Sequence, residues 1–113
     1  LNSCYTVIFE QERDKINHTI ISYAPMIEKR ERHNMIYLEK MNKVLVCSGF
    51  GLQSCEITDL ERYDCTKFPD LNSIRSNATI CSINDSYVYI IGGFKAEGVD
   101  GKYLNSLEFI CIK

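Results

Sequence analysis

Tyr87-Val88-Tyr89-Ile90-Ile91-Gly92-Gly93-Phe94 decides how the rest of the chain is read. It joins a short run of β-forming residues to a glycine pair and an aromatic ring, and the returning segment Leu104-Asn105-Ser106-Leu107-Glu108-Phe109 starts on turn-forming residues. Such a pattern predicts a strand, a tight bend and an antiparallel return. Apolar side chains at consecutive positions put packing on both faces, because a half-exposed strand would alternate.

The same unit occurs earlier, as Lys43-Val44-Leu45-Val46-Cys47-Ser48-Gly49-Phe50 followed by Ile57-Thr58-Asp59-Leu60-Glu61-Arg62-Tyr63-Asp64. Phe50 and Phe94 stand 44 residues apart and Leu60 and Leu107 stand 47 apart, so the second copy is expected to carry three extra residues in its loop. Leu1-Asn2-Ser3-Cys4-Tyr5 echoes Leu104-Asn105-Ser106-Leu107-Glu108 at the start of the chain. A period in the middle forties with several strands per unit is the pattern of β-propeller blades, four-stranded sheets set around an axis.

Ile90-Ile91-Gly92-Gly93-Phe94, the Leu-Asn-Ser-x-Glu pattern at Leu104 to Glu108, Leu60-Glu61-Arg62-Tyr63-Asp64 and Phe68-Pro69-Asp70-Leu71-Asn72-Ser73-Ile74-Arg75-Ser76 resemble kelch repeats, most of all those of BTB–kelch proteins. The resemblance runs from Ala24 to Ile110. It implies an all-β fold of kelch-type β-propeller blades, each four-stranded and antiparallel, forming a fragment of a larger propeller. Residues 1–23 would be strands three and four of one blade, 24–68 a kelch blade, and 69–113 a blade lacking its outer strand. Three departures stand out: the chain has no Trp, Asp64 to Phe68 is short, so a truncated or irregular outer strand is expected there, and in the first copy the glycine pair has become Ser48-Gly49.

In chain order, Leu1 to Phe9 and Ile16 to Tyr23 read as strands around a charged turn, Glu10 to Lys15. The charged run from Glu28 invites a helix through Lys43, since Glu28/Arg32 and Glu39/Lys43 are spaced i,i+4. A buried helical face containing Ile27 would need apolar partners where Arg30, Glu31 and Asn34 stand, so the periodicity rejects it. Met35 to Leu38, Lys43 to Cys47 and Ile57 to Tyr63 are expected as strands, with Gln53 to Glu56 as a loop. The next unit repeats them as Asn77 to Ile83, Tyr87 to Ile91 and Leu104 to Ile112.

A propeller needs about four blades or more of 40–50 residues each, so the 113 residues are expected to be a fragment of a longer protein or one chain of a non-covalently completed ring. A net charge of −2 argues against nucleic acid as a partner. No apolar run approaches the ~18 residues of a membrane span, and the expected setting is cytoplasmic. The six cysteines form no C-x-x-C pair and His18 and His33 lie far from such spacing, so no metal site is expected and reduced thiols are the favoured reading. Asn17-His18-Thr19, Asn77-Ala78-Thr79 and Asn84-Asp85-Ser86 fit the glycosylation pattern and keep a secreted alternative open.

No nucleophile elbow, phosphate-cradling loop or metalloprotease motif appears, so no catalytic residue and no cofactor is expected. In an up-and-down blade the loop between strands two and three shares a face with the connection entering the next blade. That places Arg30, Phe50, Arg75 and Phe94 near one rim, where an aromatic beside an arginine makes a favoured interface pairing. By the resemblance, Arg75, Ser76 and Phe94 match the partner-binding arginine, serine and aromatic slots of BTB–kelch proteins, with Arg30 and Phe50 in the preceding copy. The same resemblance allows a bracing role for both arginines, and for Glu61 and Glu108 in the third strand. The expected function is a non-enzymatic protein–protein interaction module, as in a ubiquitin-ligase substrate adaptor or a cytoskeletal or ciliary scaffold, with a protein or peptide and the rest of its own propeller as partners. The alternative is a kelch-propeller enzyme, galactose-oxidase-like or an isomerase, with its site on other blades.

Overall fold

The computed structural model describes residues 4–12, 15–23, 25–97 and 100–112. Over these residues the chain is all-β. Its strands are β1 (Cys4–Glu12), β2 (Lys15–Tyr23), β3 (Asn34–Leu38), β4 (Lys43–Gly49), β5 (Leu52–Asp59), β6 (Asp64–Phe68), β7 (Thr79–Ile83), β8 (Tyr87–Ile91), β9 (Phe94–Glu97), β10 (Asp100–Tyr103) and β11 (Leu107–Cys111). The only helical turn among the described residues is a 3₁₀ turn, Glu39–Met41, which ends on Asn42 in the left-handed region. No helix runs from Glu28 to Lys43, in agreement with the failed apolar periodicity.

Every pairing is antiparallel. β3-β4-β5-β6 form a four-stranded meander and β7-β8-β11 a three-stranded one, while β1-β2 and β9-β10 are two-stranded ribbons. β3 and β7, the first strands of the two larger sheets, lie against one another. The turn between β7 and β8 has Asn84 and Asp85 both at positive φ and closes with the Ser86 amide on the Ile83 carbonyl, a type I′ turn whose twist suits a hairpin.

Between the two larger sheets lies the core, built from Leu38, Leu45, Cys47 and Cys55 on one side and Val88, Ile90, Leu71 and Ile112 on the other. Alternation places these residues on facing sides, which explains why β4 and β8 read as continuous apolar runs.

Several expected boundaries move. The third strand of the four-stranded sheet is Leu52–Asp59, so Gln53 to Glu56 lie within it and Leu60 to Tyr63 form the following turn. These polar residues tolerate a central strand because the Ser54 hydroxyl and Glu56 carboxylate are hydrogen-bonded inside the sheet. β6 is not truncated: all five residues pair with β5, from Asp59↔Asp64 to Cys55↔Phe68. The loop after β8 folds into the β9-β10 hairpin, and the last strand starts at Leu107 rather than Leu104. In the first ribbon the pairing continues to Glu12↔Lys15, so Glu10 to Glu12 and Lys15 of the expected charged turn are in strands; Arg13 and Asp14 lie outside the described residues.

Candidate functional site

Two arginines hold the loops that enter the larger sheets, and they do so in the same way. Arg30 donates from Nε to Glu56 Oε2 at 3.0 Å, from Nη1 to the Ser48 and Ser54 carbonyls at 2.9 and 2.7 Å, and from Nη2 to Ser54 Oγ at 2.9 Å. Arg75 donates from Nε to Glu108 Oε2 at 2.7 Å, from Nη1 to the Gly92 and Ser106 carbonyls at 2.9 and 2.8 Å, and from Nη2 to Ser106 Oγ at 2.8 Å. Each glutamate also accepts two backbone amides, those of Ile27 and Glu28 on Glu56 and those of Asn72 and Ser73 on Glu108. Both guanidinium groups are buried, and their donors are directed into their own sheets.

This repeated brace corrects the internal alignment. The partner of Glu108 in the other copy is Glu56, 52 residues away, and Glu61 sits exposed in a turn, where its amide and that of Arg62 bond to Asp59 Oδ1. Aligned on the braces, six positions separate Ser48 from Ser54 and fourteen separate Gly92 from Ser106, so the second copy carries eight extra residues, not three. Those residues make the β9-β10 hairpin.

A second set of bonds joins the two sheets at their loop ends. Asn34 donates through Nδ2 to the Arg75 carbonyl at 2.6 Å and accepts the Ala78 amide on Oδ1 at 2.8 Å. Ser48 accepts the Arg75 amide on its hydroxyl at 2.7 Å while donating to the Leu52 carbonyl at 2.7 Å. Ser48 has φ 61°, the left-handed conformation that Gly92 adopts at φ 67° in the other copy, so its hydroxyl bonds offset a backbone that glycine would take freely. The following glycine is required by space: a Cβ on Gly49 would lie 2.8 Å from the Glu31 carbonyl oxygen, and one on Gly93 3.0 Å from that of Ser76.

Next to this joint is a cleft of about 390 Å³ lined by Arg32, Ser76, Asn77, Gly93, Phe94 and Tyr103. Ser76 is buried; its hydroxyl and amide donate to the Phe94 carbonyl at 3.0 Å, and its carbonyl accepts the Phe94 amide at 2.9 Å. The Phe94 ring packs against Tyr103 with centroids 5.0 Å apart and over Gly101, whose missing Cβ leaves the ring its place. Tyr103 is 86% exposed. Arg32 is exposed, stacks its guanidinium 5.8 Å above the Phe50 ring, and has φ 55°. Its carbonyl accepts the Asn77 amide at 2.9 Å, and Asn77 occupies the same position in its own copy at φ 50°.

Of the five residues expected on the rim, Ser76 and Phe94 line the cleft and Phe50 flanks it through Arg32. Arg30 and Arg75 lie below as braces. Arg32, Asn77, Gly93 and Tyr103 complete the lining without being among the residues expected on the rim. Arg32 sits in a charged run that gives it no distinguishing signal, and Tyr103 sits in an insertion whose length the Leu60–Leu107 spacing does not reveal.

Burial, then the Arg30 charge, lowers the pKa of His33, whose Nδ1 is buried without a hydrogen-bond partner. Burial opposes ionisation of Glu56, but hydrogen bonds from Cys65, the Ile27 and Glu28 amides and Arg30 outweigh it, so its pKa is lowered. Cys47 and Cys55 face each other across β4 and β5 as free thiols. The hydrogen bond between them, and then burial, push the Cys47 thiol up, away from the thiolate a nucleophile needs. Among the described residues no cluster of His, Cys, Asp and Glu is placed to hold a metal, and no helix is long and apolar enough to cross a membrane.

The fold and site together define an all-β chain of repeated antiparallel meanders with an aromatic and cationic cleft at the joint between two of them. No family model and no curated protein matches the chain.

Proposed function

We propose that the chain is a non-enzymatic protein-interaction module built from kelch-type β-propeller blades, and that it receives an extended segment of a partner protein in the cleft between its two larger sheets. The observation that carries this reading is Arg32, an exposed cation held in a left-handed backbone conformation at the mouth of an aromatic cleft. Such strain costs about 1–2 kcal/mol for a residue other than glycine, and uncommon backbone conformations concentrate at binding and switch sites. Arg32 supplies a planar fork for a carboxylate, Phe94 and Tyr103 supply apolar area, and Asn77 supplies an exposed amide.

The repeated Arg–Glu brace and the glycine-tipped second strands support the kelch resemblance. Adaptor or scaffold service in the cytoplasm is the host context that this resemblance suggests.

Peptide display on the immobilised chain tests the proposal. Enriched sequences should place Asp or Glu next to an aromatic or large apolar residue, and Arg32→Asn should weaken their binding by about tenfold or more, the effect of losing an interface anchor. Failure to enrich any sequence, or enriched peptides that bind Arg32→Asn and Tyr103→Ser variants as well as the parent, would refute it.

A further inference from the structure

Cys47 and Cys55 are directly paired across β4 and β5, and both are free and fully buried. By the alignment of the Arg–Glu braces, the same two positions of the second copy are Ile91 and Leu107, which also pair with each other. The repeat builds this cross-strand pair once from aliphatic side chains and once from two thiols, so the strand pairing does not require sulfur there. What facing thiols add, and an Ile–Leu pair cannot, is the capacity to join. Opposed residues of an antiparallel pair hold their Cβ atoms about 4.5–5.5 Å apart, and a disulfide needs about 3.5–4.5 Å, so the strands must draw together by about 1 Å. The bulge between Cys47 and Gly49 supplies slack beside the pair.

An oxidant reaches buried sulfur only if the structure opens locally, and the pair sits where opening is easiest. It is the last rung of the β4-β5 ladder before the bulge, and the next rung is Gly49↔Leu52. Beyond it the turn is loosely held: Phe50 is exposed, and a Cβ on Gly51 would meet no atom within 4 Å. Fraying from this end frees both sulfurs while the rungs from Val46↔Glu56 to Lys43↔Asp59 stay paired. Within the pair the sulfurs are unequal. The Cys47 thiol donates to Cys55 and lowers its pKa; burial opposes this, and the Arg30 charge and the Ser48 backbone reinforce the lowering. Cys55 is thus the sulfur that ionises first and attacks.

We propose that Cys47 and Cys55 are a redox switch: they form a reversible disulfide that locks the turn between β4 and β5 onto Arg30. Hydrogen peroxide is the oxidant. The Cys55 thiolate attacks one peroxide oxygen, the O–O bond breaks, and the departing hydroxide takes the thiol proton as water, leaving a sulfenic acid. The Cys47 sulfur then attacks that of Cys55; the S–S bond forms, the S–O bond breaks, and the hydroxyl leaves with the Cys47 proton as a second water. Two thiols are oxidised and one peroxide is reduced, and a thiol reductant reverses the bond by exchange. The bond closes residues 47–55 into a ring in which Arg30 holds the Ser48 and Ser54 carbonyls and Ser54 Oγ. Fraying that would release the brace is then blocked, so the oxidised sheet is the more stable. None of this rests on ligand binding in the cleft, and its failure leaves that proposal unaffected.

Mass spectrometry and urea unfolding of the full chain test this. Trypsin cuts after Lys43 and Arg62 and releases one peptide, Val44 to Arg62, that carries both cysteines; chymotrypsin then cuts between them after Phe50. After hydrogen peroxide this peptide should lack two hydrogens, its chymotryptic halves should stay joined, and dithiothreitol should separate them. The urea midpoint of the cross-linked chain should shift upward from that of the reduced chain, and reductant should restore the lower value. Retention of both thiols while the exposed Cys81 and Cys111 are oxidised would overturn the proposal. So would a cross-link that reductant does not reverse, or one that leaves the midpoint where it was. Cys47→Ile with Cys55→Leu, the pair that the second copy uses, should fold by circular dichroism and show no peroxide-dependent shift, and Cys47→Ala takes its place if the larger side chains are not accommodated. A peroxide-dependent gain in the variant would assign the effect to another thiol and sink the switch.

Discussion

Arg75 donates through all three of its guanidinium nitrogens, and Glu108 accepts two amides besides Arg75 Nε, so most of the pair's hydrogen bonds are made inside the fold. Removing one partner leaves a largely buried carboxylate without its cation, which costs about 3–5 kcal/mol. Arg75→Ala should therefore lower the urea midpoint sharply, and Arg75→Lys should recover only part of the loss because an ammonium cannot reproduce the planar fork. Arg32 should behave in the opposite way. Asn tolerates the left-handed region, as Asn77 does in the other copy, so Arg32→Asn should leave the melting temperature unchanged or raise it, by up to about 1 kcal/mol in stability. A variant that binds its peptide less well while folding at least as well would separate a ligand contact from a brace.

At the scale of elements, the two sheets differ chiefly in the connection after their second strand. One turns through Phe50 and Gly51, and the other inserts the β9-β10 hairpin with Tyr103 at its end. Ser76 and Phe94 bridge the hairpin to the loop entering β7, but the core on β8 and β11 does not depend on it. Replacing residues 94–103 with a short glycine-containing turn should leave the strand signal in circular dichroism intact, cost no more than about 2 kcal/mol, and abolish peptide capture. Unfolding of the shortened chain would show the hairpin to be structural. The hairpin also marks where the sequence stops being readable. Tyr87 to Ile91 matched β8 residue for residue because an apolar run bounded by a type I′ turn and two glycines has one sensible register. The brace was harder to see: Leu-Glu recurs at 60–61 and 107–108 by coincidence, whereas the physical repeat is Ser-x-Glu at 54–56 and 106–108. An insertion of eight residues separates the copies of that triplet, and spacing alone could not tell which glutamate faced an arginine.

For the molecule as a whole, the joint between the sheets links ionisation to folding. His33 has its pKa lowered below 6.5 by burial and by Arg30, so the folded chain resists a proton that the unfolded chain accepts. Between the two pKa values the unfolded state binds more protons, and stability rises with pH there. The contribution is present above pH 6.5 and is lost as pH falls below it. Glu56 acts in the same direction lower down: its folded pKa lies below 4.5, so its stabilisation is present above pH 4.5 and is lost as pH falls through the folded value. Both groups touch the Arg30 loop, so acid should loosen the four-stranded sheet in two steps, a shallow one beginning below pH 6.5 and a steeper one beginning below pH 4.5. Urea midpoints measured from pH 8 to pH 3 would show them. His33→Gln should abolish the first step and leave the second, because Gln carries no proton equilibrium. A His33→Gln variant with an unchanged upper step would place that step on another group and remove His33 from the joint's response to pH.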